Sequence, residues 1–164
     1  MVSANPAVAQ RVRATVEPAV AAAGLFLEGV VIGTAGRRSL VRVVVDLPDD
    51  ALGSLGSEQL ADVSRGISAA MDAQDPVRGA YVLEVSTPGT DRPLTELRHF
   101  MRARTRLVRL TLRDGSTLPG RLTAADATGY EVTTDDGVVR VAPADVAHAV
   151  VELEFRTDEA EGEV

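Results

Sequence analysis

Val8, Val12, Val16 and Val20 recur every four residues, which gives one apolar stripe to an N-terminal helix running from Asn5-Pro6 towards Gly24. Asn5 is suited to cap such a helix, Pro6 to its first position and Gly24 to its end. Pro18 falls inside the stripe and predicts a kink or an interruption, because proline lacks an amide hydrogen and its ring crowds the preceding turn. Leu25 to Ile32 and Leu40 to Leu47 are rich in β-branched and aliphatic residues, with Gly33 to Ser39 between them, and predict a hairpin. Helical spacing returns at Leu60, Val63, Ile67, Ala70 and Met71, with Ser57 as the predicted cap and Asp75-Pro76 as the stop. Tyr81 to Ser86 reads as a third strand. The order helix, strand, strand, helix, strand predicts an α+β sandwich with both helices on one face of a small sheet.

The second half changes pattern. Short alternating runs, T-R-L-V-R-L-T-L-R, T-L-P-G-R-L-T-A, Y-E-V-T-T, V-V-R-V and A-H-A-V-V-E-L-E-F, are broken by Asp114-Gly115, Thr128-Gly129 and Asp136-Gly137. Such punctuation predicts a small five-stranded β barrel, with one helical turn at Ala142 to Val146 where the chain changes direction. The pattern divides the chain into an α/β domain over 1–87, a linker over 88–97, a barrel domain over 98–156 and an acidic tail over 157–164, predicted to be disordered.

The linker is the least ordinary stretch. Pro88 and Pro93 fix backbone angles, Gly89 restores freedom between them, and Asp91 can accept hydrogen bonds from nearby amides. A stiff hinge between two domains is one reading, and a binding edge is the other. As a catalytic loop the stretch is poor. No glycine-flanked nucleophile elbow surrounds Ser86, and Arg92 beside Asp91 favours the ionised carboxylate and spoils it as a general acid.

Composition narrows the chemistry. The absence of Cys excludes disulfides, thiolate catalysis and Cys-ligated zinc. All 17 basic residues are Arg, which removes Schiff-base chemistry and the phosphate-loop lysine. Only 3% of residues are aromatic, too few for a base-stacking platform. His99 and His148 belong to no ligand motif, so no metal or other cofactor is expected and each histidine reads as structural. With no signal-peptide pattern and no apolar run of membrane-spanning length, a cytoplasmic protein without a membrane partner is the default expectation.

The net charge of -7 conceals an uneven distribution. Residues 1–91 hold 7 Arg against 11 acids, whereas residues 92–157 hold 10 against 9. Arg98 to Arg113 carries six Arg and no carboxylate. If Val108, Leu110 and Leu112 face the core, Arg109 and Arg113 are sent to solvent by strand alternation, and Arg106 precedes the strand. Solvated decoration and phosphate binding are both open readings of this stripe, the second because guanidinium groups pair bidentately with phosphate. Arg37-Arg38 on the first hairpin is a weaker signal of the same kind.

L-E-V-S-T-P-G-T-D-R-P-L at Leu83 to Leu94, preceded by D-P-V-R-G-A-Y-V and by G-L-F-L-E-G-V-V-I, V-R-V-V-V-D-L and S-E-Q-L-A-D-V-S-R-G-I-S-A-A-M-D, resembles the bacterial ribosome maturation factor family RimP. Glu84, Ser86, Pro88, Gly89, Asp91, Arg92, Pro93 and Leu94 match the family signature, while Thr87 and Thr90 depart from the commoner Ser and Leu. The resemblance implies a non-enzymatic factor with an N-terminal α/β domain and a C-terminal Sm/SH3-like barrel. It would bind the free small ribosomal subunit during assembly, meeting 16S rRNA and the small-subunit protein numbered twelve near the decoding centre. On that basis Arg98, Arg102, Arg104 and Arg106 are expected to meet rRNA phosphates, and the chain is expected to be a monomer. A general RNA-binding regulator with an Sm-like barrel is the alternative, and it would be expected to assemble into rings.

Overall fold

The computed structural model describes residues 6–154, so the acidic tail expected over 157–164 lies outside the described residues. The chain divides into two compact units, one ending at Pro88 and the other starting at Gly89.

In the first unit, α1 (Pro6–Ala22) buries Val12, Val16 and Val20 together with Thr15. The helix continues through Pro18 without the interruption that proline predicts. Pro18 and Ala14, whose carbonyl loses its partner, are both on the exposed side, and the buried valines on either side of the proline hold the helix against the core. β1 (Phe26–Ala35) and β2 (Arg38–Asp46) form the predicted hairpin, longer than expected because Gly36 adopts a positive φ of 66° that allows a two-residue turn. α2 (Ser57–Gln74) starts at the expected place, but Gly56 is its cap and Ser57 its first residue; the Gly56 amide donates to the Gln59 side chain at 3.4 Å. β3 (Tyr81–Ser86) then returns parallel to β2, giving the sheet order β1-β2-β3. A parallel return requires a crossover, and α2 supplies it.

Strand alternation sorts the two faces. Val41, Val43 and Val45 are fully buried with the apolar stripes of α1 and Val63, Ile67 and Met71 of α2. The opposite face carries Val31, Arg42 and Glu84 in register and stays open to solvent. The predicted two helices on one face of a small sheet describe this unit.

In the second unit, β4 (Leu107–Leu112), β5 (Thr117–Asp126), β6 (Gly129–Thr134), β7 (Gly137–Val141) and β8 (Val146–Val151) form one antiparallel sheet in the order β7-β6-β5-β4-β8. The five strands match the five alternating runs, but the barrel is not closed: among the described residues β7 and β8 are the two edges and do not pair. The sheet must nonetheless curl. Four strand spacings would separate flat edges by about 19 Å, and the five-residue step from Val141 to Val146 reaches at most about 18 Å even when extended. Part of that step is the short 3-10 turn Pro143–Asp145, at the position predicted for a change of direction.

A short helix, α3 (Leu97–Arg102), precedes this sheet and packs against β5. No periodicity announced it, since six residues hold too little pattern. It brings Phe100 into a core with Leu94, Val108, Leu110, Leu122, Tyr130, Val132 and Ala149. Phe100 and Tyr130 stack with ring centroids 3.9 Å apart.

The turn between β5 and β6 is closed by the Asp126 carboxylate, which accepts from the Thr128 amide at 2.8 Å, the Thr128 hydroxyl at 2.6 Å and the Gly129 amide at 3.1 Å. The Thr128 hydroxyl first, its amide next and nearby Arg140 hold the Asp126 pKa down at about 2. A carboxyl depressed in the fold contributes stability above its ordinary value of about 3.9 and loses that contribution as pH falls towards the folded value. Following the Asp126 side chain by NMR during an acid titration should therefore give a midpoint near 2; a midpoint near the ordinary value would mean that the turn is not held by these bonds.

Candidate functional site

The signature residues lie on both sides of the boundary between the units. On the first unit, Glu84 of edge strand β3 sits in register with Arg42 of β2, and their side chains form an ion pair of 3.0 Å that is about half exposed. At such exposure the pair orders the open face of the sheet and contributes on the order of 1 kcal/mol or less. Ser86 is the last residue of β3, in register with Val44, and Pro88 ends the unit. Both histidines belong to the second unit, so Ser86 has no histidine base within its own unit.

Gly89, Asp91, Arg92, Pro93 and Leu94 belong to the second unit. The Arg92 amide donates to the Gly89 carbonyl at 3.4 Å, a weak turn closure. A Cβ at Gly89 would lie 2.7 Å from the Asp91 carboxylate, so glycine is what lets that carboxylate fold back over the turn. Leu94 is buried in the second core, and its amide donates to the Ala149 carbonyl of β8 at 2.8 Å. The stretch read as a linker is thus anchored at its Leu94 end.

The arginine stripe starts on α3. The His99 ring reaches back over the start of this helix, its Nδ1 accepting from the Thr95 amide at 3.0 Å and the Glu96 amide at 3.1 Å. With Nδ1 an acceptor, the hydrogen resides on Nε2, which lies 3.5 Å from the Glu96 carboxylate. Sequence had marked His99 only as structural; its role as a cap depends on a helix that local pattern did not show. Arg98 and Arg102 lie on α3, and Arg104 and Arg106 on the turn leading to β4. Thr105, at a positive φ of 76°, shapes that turn, and its amide donates to the Leu122 carbonyl at 2.7 Å. Arg104 Nε donates to the Met101 carbonyl at 2.8 Å. Arg98, Arg104 and Arg106 are half-buried, whereas Arg102 is only 8% exposed and offers the least surface to a phosphate.

The stripe looked free of carboxylates along the chain, but folding supplies them from a distance. Arg109 pairs with Glu152, and Arg121 of the neighbouring strand pairs with Glu154 at 2.9 Å. Two remote glutamates therefore border the basic surface on the β4 side. The paired aromatic rings are buried, and no group of three or more His, Cys, Asp or Glu residues that could hold a metal ion occurs among the described residues. Among the same residues, no helix is long and apolar enough to cross a membrane.

Two small units, one with two helices on a three-stranded sheet and one with a curled five-stranded sheet preceded by an arginine-bearing helix, place the described residues among α+β proteins. The family model described as the RimP N-terminal domain matches residues 15–91. Three relatives named ribosome maturation factor RimP align with most of the chain. That of Frankia casuarinae is 43% identical, covering 89% of this chain and 59% of the relative. That of Parafrankia sp. is 37% identical, covering 93% and 59%. That of Kineococcus radiotolerans is 42% identical, covering 82% and 72%. The chain belongs to the ribosome maturation factor RimP family. It spans 59% of the length of the first two relatives.

Proposed function

We propose that this protein is a non-enzymatic assembly factor that binds the free small ribosomal subunit and assists its maturation near the decoding centre. The observation that carries the reading is the match to relatives named ribosome maturation factor RimP at 37 to 43% identity across both units. In this reading Arg98, Arg104 and Arg106, with Arg102 behind them, meet phosphates of 16S rRNA. The acidic balance of the chain complements a basic ribosomal protein, the small-subunit protein numbered twelve, and opposite charge speeds such an encounter. The curled, unclosed five-stranded sheet takes the place of the Sm/SH3-like barrel that the resemblance implies. The signature links the two domains, with Glu84, Ser86 and Pro88 belonging to one and Gly89, Asp91, Arg92, Pro93 and Leu94 to the other.

Co-sedimentation with free small subunits, whole ribosomes and naked 16S rRNA, at two salt concentrations, tests the proposal. Selective binding to free small subunits is the expected outcome. Equal binding to naked RNA, together with rings by light scattering, would favour a general RNA-binding regulator instead. The double variant Arg104→Glu, Arg106→Glu should weaken subunit binding and lower the slope of log affinity against log salt by about one per arginine. An unchanged slope, with the unfolding transition intact, would put both side chains outside the contact.

A further inference from the structure

Arg42 and Arg65 pair with carboxylates, and Arg13 donates to the Leu27 carbonyl at 3.4 Å. Arg11 donates only to the Pro76 carbonyl at 3.4 Å, and neither it nor Arg78 is within ion-pair distance of a described carboxylate. Both line the same open groove, of about 920 Å³, where α1 passes the end of α2 and the hairpin of β1 and β2. That volume lies at the upper end of small-ligand clefts, which hold about 300–1,000 Å³, and exceeds what a lone phosphate needs.

The groove is chemically divided. Val8, Ile32 and Val77 give it an apolar floor, the last two being almost fully buried. Gln74 and Asp75 stand at the end of α2, where Asp75 takes a left-handed conformation with φ of 49°. Asp75 is the one carboxylate among the lining residues.

We propose that this groove binds a short stretch of single-stranded RNA, with Arg11 and Arg78 on phosphodiester oxygens and an unstacked base against the apolar floor. Guanidinium groups match phosphate bidentately, and unpaired bases are recognised by stacking on guanidinium planes and by hydrogen bonds to their edges. Gln74 Oε1 accepts from the Thr15 hydroxyl at 3.3 Å, which leaves its amide N–H groups to donate to a base edge, and the Asp75 carboxylate accepts from exocyclic amino groups. An acidic peptide offers no amino-bearing ring edge from which the Asp75 carboxylate could accept. The phosphate-and-base chemistry stands on the groove alone; its assignment to RNA rests on the ribosome-maturation reading.

Fluorescence anisotropy of a labelled short oligoribonucleotide of mixed sequence, titrated with the full chain, supplies the test, and it uses no ribosomes. Arg78→Glu should weaken binding at least about tenfold and flatten its salt dependence, whereas Arg65→Glu, the same charge change on the paired arginine of α2, should alter it less than about twofold. Amide shifts at Thr15, Thr34, Ser39 and Val77 should accompany binding in NMR spectra. Equal losses from both variants, or shifts confined to the second unit, would overturn the groove as the site. Equal competition by oligoglutamate, by a mononucleotide or by a deoxyribo-oligonucleotide would overturn its assignment to an RNA strand. Because co-sedimentation reads the whole particle, selective binding to free small subunits would survive failure of the groove, and oligonucleotide binding at the groove would survive failure of the subunit reading.

Discussion

Phe100→Ala is expected to destabilise the second unit by about 3–5 kcal/mol, the range for removing a buried aromatic side chain. A unit of this size has a total stability on the order of 4–11 kcal/mol, so the substitution alone removes a large fraction of it. Phe100 is 2% exposed and its ring lies nearly parallel to that of Tyr130, at an interplanar angle of 8°. Truncation removes the transfer energy of the ring, leaves a void between α3 and the sheet, and ends a stack that contributes about 0.5–1.5 kcal/mol beyond buried area. Urea unfolding followed by circular dichroism would measure the loss, with Phe100→Leu recovering more than half of it by retaining most of the volume. A loss below about 1 kcal/mol would mean that α3 does not close this core.

Gly120→Ala should also cost heavily, for the opposite reason. A Cβ at this position of β5 would lie 2.6 Å from the Thr133 carbonyl oxygen and 2.6 Å from Val132 Cγ1, both on the adjoining strand β6. A carbonyl held in a sheet cannot swing aside as the end of a long side chain does. The ladder between β5 and β6 must shift, at the cost of about 1–3 kcal/mol typical of an overpacked core or more. Gly29→Ala provides the contrast: nothing lies within 4 Å of its Cβ position and its φ is not positive, so the change should be close to neutral. Thermal unfolding of the two variants side by side checks the difference, and equal melting temperatures would show that β6 yields without cost.

Both predictions depend on features with different legibility in the sequence. The strand carrying Gly120 was read from alternation, and its neighbours from the Asp-Gly and Thr-Gly turns around them. That the glycine faces a carbonyl of β6 was not readable, because alternation says which residues share a face and not how closely two backbones approach. α3 escaped because six residues complete fewer than two helical turns, so the i, i+3, i+4 spacing of Leu97, Phe100 and Met101 is too short a run to mark a helix. Pro18 misled for a related reason: its local cost is real, but helices in proteins draw most of their stability from the face they bury.

The candidate sites divide in the same way. Residue types along Leu83 to Leu94 identified the family, and the arginine stripe was visible as composition. Its state of charge was not. Arg109 finds Glu152 across 43 residues of chain, and Arg121 finds Glu154 across 33. Arg11 and Arg78 likewise meet at one groove only because α1 crosses the end of α2.

Periodicity and turn residues determined the elements of this protein by themselves, α3 excepted, since each acts within a few residues through backbone sterics and local hydrogen bonds. Alternation also determined the core face of β4, where Val108 and Leu110 are fully buried. The tertiary structure alone decided that the five-stranded sheet curls without closing, that the signature is shared between two units, and which arginines meet carboxylates. Those outcomes depend on distances through space between residues far apart in the chain, and no local pattern encodes such distances.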